Sequence, residues 1–277
     1  MPDFSEIEEI IKNQTFPDFI RGVNFIDFYR KNIRPRKGGG RDRISPKVYE
    51  QQFEKEEDLI KEKCISGEYN FSPYNEKLVL KGRGKYPRVI SIPTVRDRFV
   101  LSLLNRYLQK KLKIHRHTAN SYVKGAKDFI ANNGPLRFFK TDIKSFFDSI
   151  PHKILANKLN NVVDEICLKL IIKAIKTSTC GPGCKNINEN KVGIPQGISI
   201  ASLLSEKFME TFDREIKKNV IRHRGLYLRY VDDILILSPE VINWENIINE
   251  IIVKENLGLK LTPEKTKSGL LNNVSSI

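Results

Sequence analysis

The chain has 277 residues, 48 Lys+Arg against 33 Asp+Glu, and a formal net charge of +15. Hydrophobic residues make up 40% and charged residues 29%, enough apolar material for a real core, so disorder is excluded as the dominant state. No run approaches the roughly 18 apolar residues of a spanning helix, the acidic start MPDFSEIEEI has no signal-peptide pattern, and four scattered cysteines make no disulfide framework, so a reducing, cytoplasmic setting and no membrane partner are expected.

The first basic stretch, Arg30 to Lys47, holds eight Lys/Arg and one acid, Asp42. Its Gly38-Gly39-Gly40 triplet reads as a loop. Residues 45–67 read as a helix, with Ser45 and Pro46 as cap and first-turn residue. KLVL (77–80) and YPRVISI (86–92) read as strands around a KGRGK turn. The second basic stretch, Lys81 to Arg98, holds six Lys/Arg and one acid, Asp97. Lysine-rich composition alone can reflect genome bias. Clustering of this kind points instead to a surface that tracks phosphates, hence to a nucleic-acid partner.

Residues 96–113 have the helical period, with Val100, Leu103, Leu104, Tyr107, Leu108 and Leu112 on one face. LRFFKTD (136–142) is a strand ending in an acid. Helices are expected at 151–160 and 162–176, then a Gly/Cys/Asn-rich loop at 178–193, then a helix near 199–219. LYLRYV (226–231) and ILILS (234–238) read as a hairpin with Asp232 and Asp233 at its turn. A helix near 242–254 and a short strand near 258–262 follow. Strands and helices mix without βαβ alternation, so the class is α+β.

Asp232 and Asp233 sit between two apolar strands. A turn favours Asp for its own reasons, but ionised carboxylates near a core need a cation or a hydrogen-bond network. Asp142 also terminates an apolar strand. If the strands pack side by side, Asp142 and Asp232 converge into an all-oxygen pocket of the kind Mg²⁺ prefers. Such a pocket supports two ions roughly 3.5–4 Å apart for phosphoryl transfer. Cys180 and Cys184 have a zinc-like spacing but lack a second ligand pair, so two free thiols are the better reading. Trp244 reads as a helix-packing residue.

FFKTDIKSFFDSI (138–150), GIPQGISIASLL (193–204) and YVDDILIL (230–237) stand in that order. Together they resemble the three catalytic motifs of reverse transcriptases, with YVDD as the YxDD box. RVISIPTVRDRFVLSLL (88–104) resembles the fingers motif of the bacterial group II intron-like branch. SYVKGAKDFI (121–130) falls at that branch's next motif, and LGLKLTPEKTKSG (257–269) resembles the motif after the hairpin. The resemblance implies a right-hand polymerase, with the N-terminal segment and fingers at 1–98 and the fingers helix and palm at 99–277. It implies RNA-directed DNA polymerisation with two Mg²⁺ ions, Mn²⁺ being a possible substitute. The implied partners are an RNA template, a DNA or RNA primer, dNTPs and a cognate structured non-coding RNA.

Residue by residue, the resemblance makes Asp142 and Asp232 the principal metal-binding aspartates and Asp233 the third catalytic carboxylate. Phe147 falls at the aromatic steric gate that crowds a ribose 2′ position. Gln196 and Gly197 match the PQG box at the incoming nucleotide and template. Arg88 matches the arginine that grips the triphosphate, assisted by Lys85. Lys265 matches the lysine that helps the departing pyrophosphate. Asp97 and Arg98 belong to the fingers helix in a structural role.

After the PQG box the chain reads Ile198-Ser199-Ile200-Ala201 where intron proteins place Gly and Ser-Pro. That wording is closer to retron or phage-defence enzymes. The family's primer grip and thumb are expected to be missing from this chain. The alternatives are template-independent or protein-primed synthesis, an RNA-dependent RNA polymerase disfavoured by Phe147, and a thumb-less nucleic-acid-binding fragment inactive alone.

Overall fold

The computed structural model describes residues 13–80, 82, 86–114, 119–181, 183–184 and 188–271. Packing gathers the chain into two units. The first is Met1–Lys113 with His152–Leu204, and the second is Ile114–Pro151 with Ser205–Ile277. Residue 98, the expected fingers boundary, lies inside a helix of the first unit.

Among its described residues the first unit holds short helices at 16–21 and 25–32 that the sequence expectations do not include. Helix α1 (Phe16–Arg21) starts at a capping box between Thr15 and Asp18, and α2 (Phe25–Asn32) starts at an Asn24 cap. Both are too short for periodicity to reveal. Helix α3 (Pro46–Ser66) starts at the Ser45 cap as expected and stops at Gly67, whose φ of +71° only glycine adopts freely. An aromatic cluster ties these helices together. Tyr29 stacks on Phe53 with centroids 4.4 Å apart, and Phe99 meets Phe25 and Phe53 edge-on at 4.9 and 4.7 Å. Strands β1 (Tyr74–Val79) and β2 (Arg88–Ile92) form the expected antiparallel hairpin. Most of its turn, Lys85 included, lies outside the described residues.

Helix α4 (Val95–Leu112) carries Phe99 and the apolar face expected of it. Asp97 is wholly buried at its first turn. Its carboxylate accepts from Tyr69 Oη at 2.7 Å, Thr94 Oγ1 at 2.7 Å and the Ser72 backbone N–H at 3.1 Å. That network fits the structural role expected of Asp97.

The second unit begins with α5 (Ala119–Asn132), a helix absent from the expectations. Strand β3 (Arg137–Asp142) ends at Asp142 as expected, and the single turn α6 (Phe146–Ser149) follows. The chain then returns to the first unit for α7 (His152–Asn160), α8 (Glu165–Lys176) and β4 (Thr179–Cys180). The expected loop at 178–193 therefore begins with a strand, paired parallel to β1. Cys180 is buried there, Cys184 is half-buried, and neither forms a disulfide.

Helix α9 (Ala201–Arg222) leads into the second unit's remaining elements: β5 (Leu226–Tyr230), β6 (Asp233–Ser238), α10 (Trp244–Lys254) and β7 (Lys267–Leu270). Trp244 is buried, with its ring edge-on to His223. The sheet order is β5-β6-β3-β7, antiparallel throughout. The strand expected near 258–262 is corrected to a single bridge, Leu261 with Ile143. Pro263 has no N–H for a ladder, and a 3₁₀ turn runs from Pro263 to Lys265 before pairing resumes in β7.

Side chains alternate between the two faces of the sheet. Thr141, Phe139, Ile234, Ile236, Tyr227 and Arg229 are buried on one face. Asp142, Lys140, Asp233, Leu235, Leu228 and Tyr230 share the other.

In the first unit, buried His152 lies with Nε2 2.6 Å from the Gly193 carbonyl oxygen. A carbonyl only accepts, so Nε2 carries the proton and donates. Burial pushes the imidazole pKa down. The unfolded ring then takes a second proton first, so stability is full above about pH 6.5 and falls as pH drops below it. Urea unfolding from pH 7.5 to 5 is expected to show that loss, and His152→Gln is expected to flatten the slope.

Candidate active site

Register creates the site. Asp142 stands directly opposite Asp233 across β3 and β6, and Tyr230 opposite Asp233 across β5 and β6. Val231 and Asp232 form the two-residue turn, and the Asp232 carbonyl accepts from the Ile143 N–H at 3.1 Å. The three aspartates named by the sequence are thus brought to one end of one sheet.

Val231 has φ of +59°. For a β-branched residue this is a genuine outlier, of the kind that costs about 1–3 kcal/mol and persists only where the surroundings impose it. A clamp lies within reach. Arg229, buried on the opposite face, donates from Nη1 to the Val231 carbonyl at 2.8 Å.

Asp142 is 6% exposed and fully engaged. Lys265 Nζ lies 2.6 Å from Oδ2, and Thr262 Oγ1 donates to Oδ1 at 2.8 Å. The Thr262 N–H also donates to the Asp142 carbonyl at 2.8 Å. The 3₁₀ turn at Pro263 aims both side chains at Asp142. The hydrogen bond that Lys265 donates to Asp142 raises the Lys265 pKa. Asp232 is pushed above the ordinary carboxylate range by burial, then by the negative charges of Asp142 and Asp233. An all-oxygen set crowded with like charge, already drawing one ammonium, has the donor chemistry of a hard divalent cation. Among the described residues no group of three His, Cys, Asp or Glu side chains is drawn into a ligating cluster, and both Asp142 oxygens are hydrogen-bonded.

Phe146 is buried, whereas Phe147 is half-buried, with the two rings 5.4 Å apart. The αL conformation of Ser145, φ +47°, sets this short turn. On the flank of the YVDD hairpin, a cavity of about 350 Å³ is lined by Tyr122, Val123 and Ala126 of α5 with Leu228, Tyr230 and Leu235.

The remaining predicted residues belong to the first unit. Arg88 is exposed at the start of β2. The same strand holds the PQG turn: the Ser91 N–H donates to the Gln196 carbonyl at 2.6 Å. Gly197 has φ of +108°, and a Cβ there would lie 2.7 Å from the Ser91 oxygen, so only glycine permits this approach. Beside the turn, a hollow of about 280 Å³ is lined by Arg36, Lys37 and Arg98 with no acid in its lining. Arg98 holds the basic loop by donating from Nη1 to the Gly38 carbonyl at 2.8 Å and from Nε to the Pro93 carbonyl at 3.2 Å. Burial and the nearby Arg36 lower the Arg98 pKa. Lys85 lies outside the described residues.

Sequence reasoning missed Arg229 and Thr262 as site elements, whereas Arg36 and Lys37 stand within the Arg30–Lys47 basic stretch it singled out. An arginine inside the apolar strand LYLRYV was a readable signal, because a charge on a core strand requires partners.

The sheet, its acidic hairpin and the surrounding helices define the palm of a right-hand polymerase. Telomerase from Candida albicans, solved in complex with a fragment of telomeric RNA, shares this fold with a TM-score of 0.53 at 14% identity. It covers 83% of this chain and 46% of the telomerase chain. Apo telomerase from Candida tropicalis, truncated from its C-terminal domain, matches with the same TM-score at 15% identity over 86% of this chain and 59% of that one. The profile of the reverse transcriptase (RNA-dependent DNA polymerase) family matches residues 79–273, and the chain belongs to that family. Protein YkfC of Escherichia coli (strain K12) is 22% identical, over 96% of this chain and 81% of its own length. An uncharacterized 91 kDa protein in the cob intron of Schizosaccharomyces pombe is 28% identical, over 58% of this chain and 21% of its own. The chain thus spans most of one relative, about a fifth of the intron protein and about half of the telomerase chains.

Proposed function

We propose that the protein is an RNA-directed DNA polymerase that adds deoxynucleotides to a primer 3′-hydroxyl on an RNA or DNA template. The observation that carries this reading is the pairing of Asp142 with Asp233 across two strands, with Asp232 at the turn between β5 and β6. Asp142 and Asp232 would hold divalent cations, Mg²⁺ with Mn²⁺ as substitute, and Asp233 would complete the carboxylate set. Bound there, the ions would lower the pKa of the primer hydroxyl and offset charge on the phosphates.

The chain's own side chains divide the rest of the work. Phe147 fills the space a ribose 2′-hydroxyl would need. The Arg88 guanidinium grips the triphosphate as a fork, and the charge of Lys85 assists it. Gln196 and the bare backbone of Gly197 support the incoming nucleotide and the template. Lys265, held protonated by Asp142, is placed to neutralise charge on departing pyrophosphate. Arg36, Lys37 and Arg98 offer a cationic wall to the strand's phosphates. A retron or defence role, with its own structured RNA, is favoured by the Ile198-Ser199-Ile200-Ala201 wording after the PQG box.

Primer extension on poly(rA)/oligo(dT) with Mg²⁺ and dTTP tests the reading. Asp232→Ala is expected to lose at least about a thousandfold in kcat; equal extension by this variant would sink the site assignment. Phe147→Ala is expected to cut discrimination against ribonucleotides by about tenfold or more, read as the ratio of kcat/KM for dTTP and UTP. For RNA binding, Arg36→Ser with Lys37→Ser is expected to reduce the slope of log K against log salt by about one for each phosphate that the two cations neutralise. An unchanged slope would remove that wall from the interface.

A further inference from the structure

We propose that Arg229 is a positioning residue for the catalytic turn, held by Asp213 and Glu206 so that its remaining N–H fixes the Val231 carbonyl. The proposal rests on reading Asp232 and Asp233 as catalytic carboxylates. A guanidinium has five N–H donors in a rigid fork, and here every one is accounted for. Nε donates to Asp213 Oδ1 at 2.8 Å and Nη2 to Asp213 Oδ2 at 2.7 Å. Nη2 also donates to Glu206 Oε2 at 2.7 Å, and Nη1 to Glu206 Oε1 at 3.3 Å. The fifth donor, on Nη1, meets the Val231 carbonyl at 2.8 Å.

Both acids stand on α9, two turns apart, so the guanidinium is fixed to a long helix before it reaches the turn. Tyr227 Oη donates to Asp213 Oδ1 at 2.7 Å, which braces Asp213 from β5 itself. The Arg229 side chain is 4% exposed, against 33% for Glu206 and 20% for Asp213. A buried charge of this kind is weak evidence of added stability, since apolar side chains of similar volume often serve as well. What an apolar side chain does not supply is a directed donor to the carbonyl of Val231, which is held at positive φ immediately before Asp232. The fork therefore holds the strained peptide in place and fixes where the Asp232 and Asp233 carboxylates point.

Arg229→Lys tests this, because it keeps the charge and the stem but loses the fork. Primer extension at saturating template-primer is combined with hydrogen exchange of the backbone amides. The expected result is a fall in kcat of about tenfold or more with KM for dTTP within about twofold. Amide exchange in residues 230–233 is expected to quicken by about tenfold while β3 and α9 keep their protection. Glu206→Gln, at the more exposed edge of the network, is the second variant if Arg229→Lys does not fold; it is expected to loosen the same four residues. Unchanged exchange at 230–233, or quickening spread evenly over β5, β6 and α9 with normal kcat per folded molecule, would overturn the proposal. The exchange measurement is independent of activity. A wild-type chain without polymerase activity would therefore count against the functional reading and leave the positioning role judged on exchange.

Discussion

The register of β3 against β6 is the constraint on which the site depends. Side chains alternate along a strand, so a slip of one residue would send Asp142, Lys140 and Phe138 to the face where Thr141 and Phe139 now lie. That face is packed with buried apolar side chains, where the Asp142 carboxylate would lose Lys265 and Thr262 and lie desolvated without partners. Burial of Thr141, Phe139, Ile234 and Ile236 therefore locks the register by penalising the alternative. The hydrophobic side of the sheet decides where its acidic side points.

Around that sheet, the chain handles like charge by local pairing. Lys265 and Thr262 take the two oxygens of Asp142, whereas Asp232 is left beside two carboxylates and is harder to ionise. On the opposite face one arginine is shared by two acids. The first unit shows the reverse imbalance at the PQG turn, where Arg36, Lys37 and Arg98 stand together without an acid in the hollow.

Much of this was legible in the sequence because the signals were local. Asp142 closes a strand of aromatic residues, the YVDD pair sits between apolar runs, and Ser45-Pro46 announces a helix start; each needs only neighbouring residues to be read. The meeting of Asp142 with the hairpin acids at one sheet end followed from those signals, whereas the strand order did not. The two short helices before residue 45 were not legible, since six and eight residues give too few turns for periodicity and their aromatics find partners on α3 and α4. Helix α5 hid behind Gly125 and a motif reading of the same residues. The displaced final strand turned on Pro263, whose missing N–H stops a ladder that the hydrophobic pattern alone would continue. Arg229 needed tertiary knowledge: its partners lie 16 and 23 residues away on a helix.

The two units are each discontinuous in sequence, and the chain crosses between them at residues 113–114, 151–152 and 204–205. On a ribosome, the first unit cannot complete its own packing until Leu204 has emerged. By then the nascent chain already carries β3, an aromatic strand still waiting for β6 and β7. Loops of this length make pairing slow, and an unpaired apolar strand is an aggregation hazard while it waits. Arg137 and Lys140 flank the Phe138-Phe139 pair of β3, the placement of charge that keeps such a strand soluble while it waits.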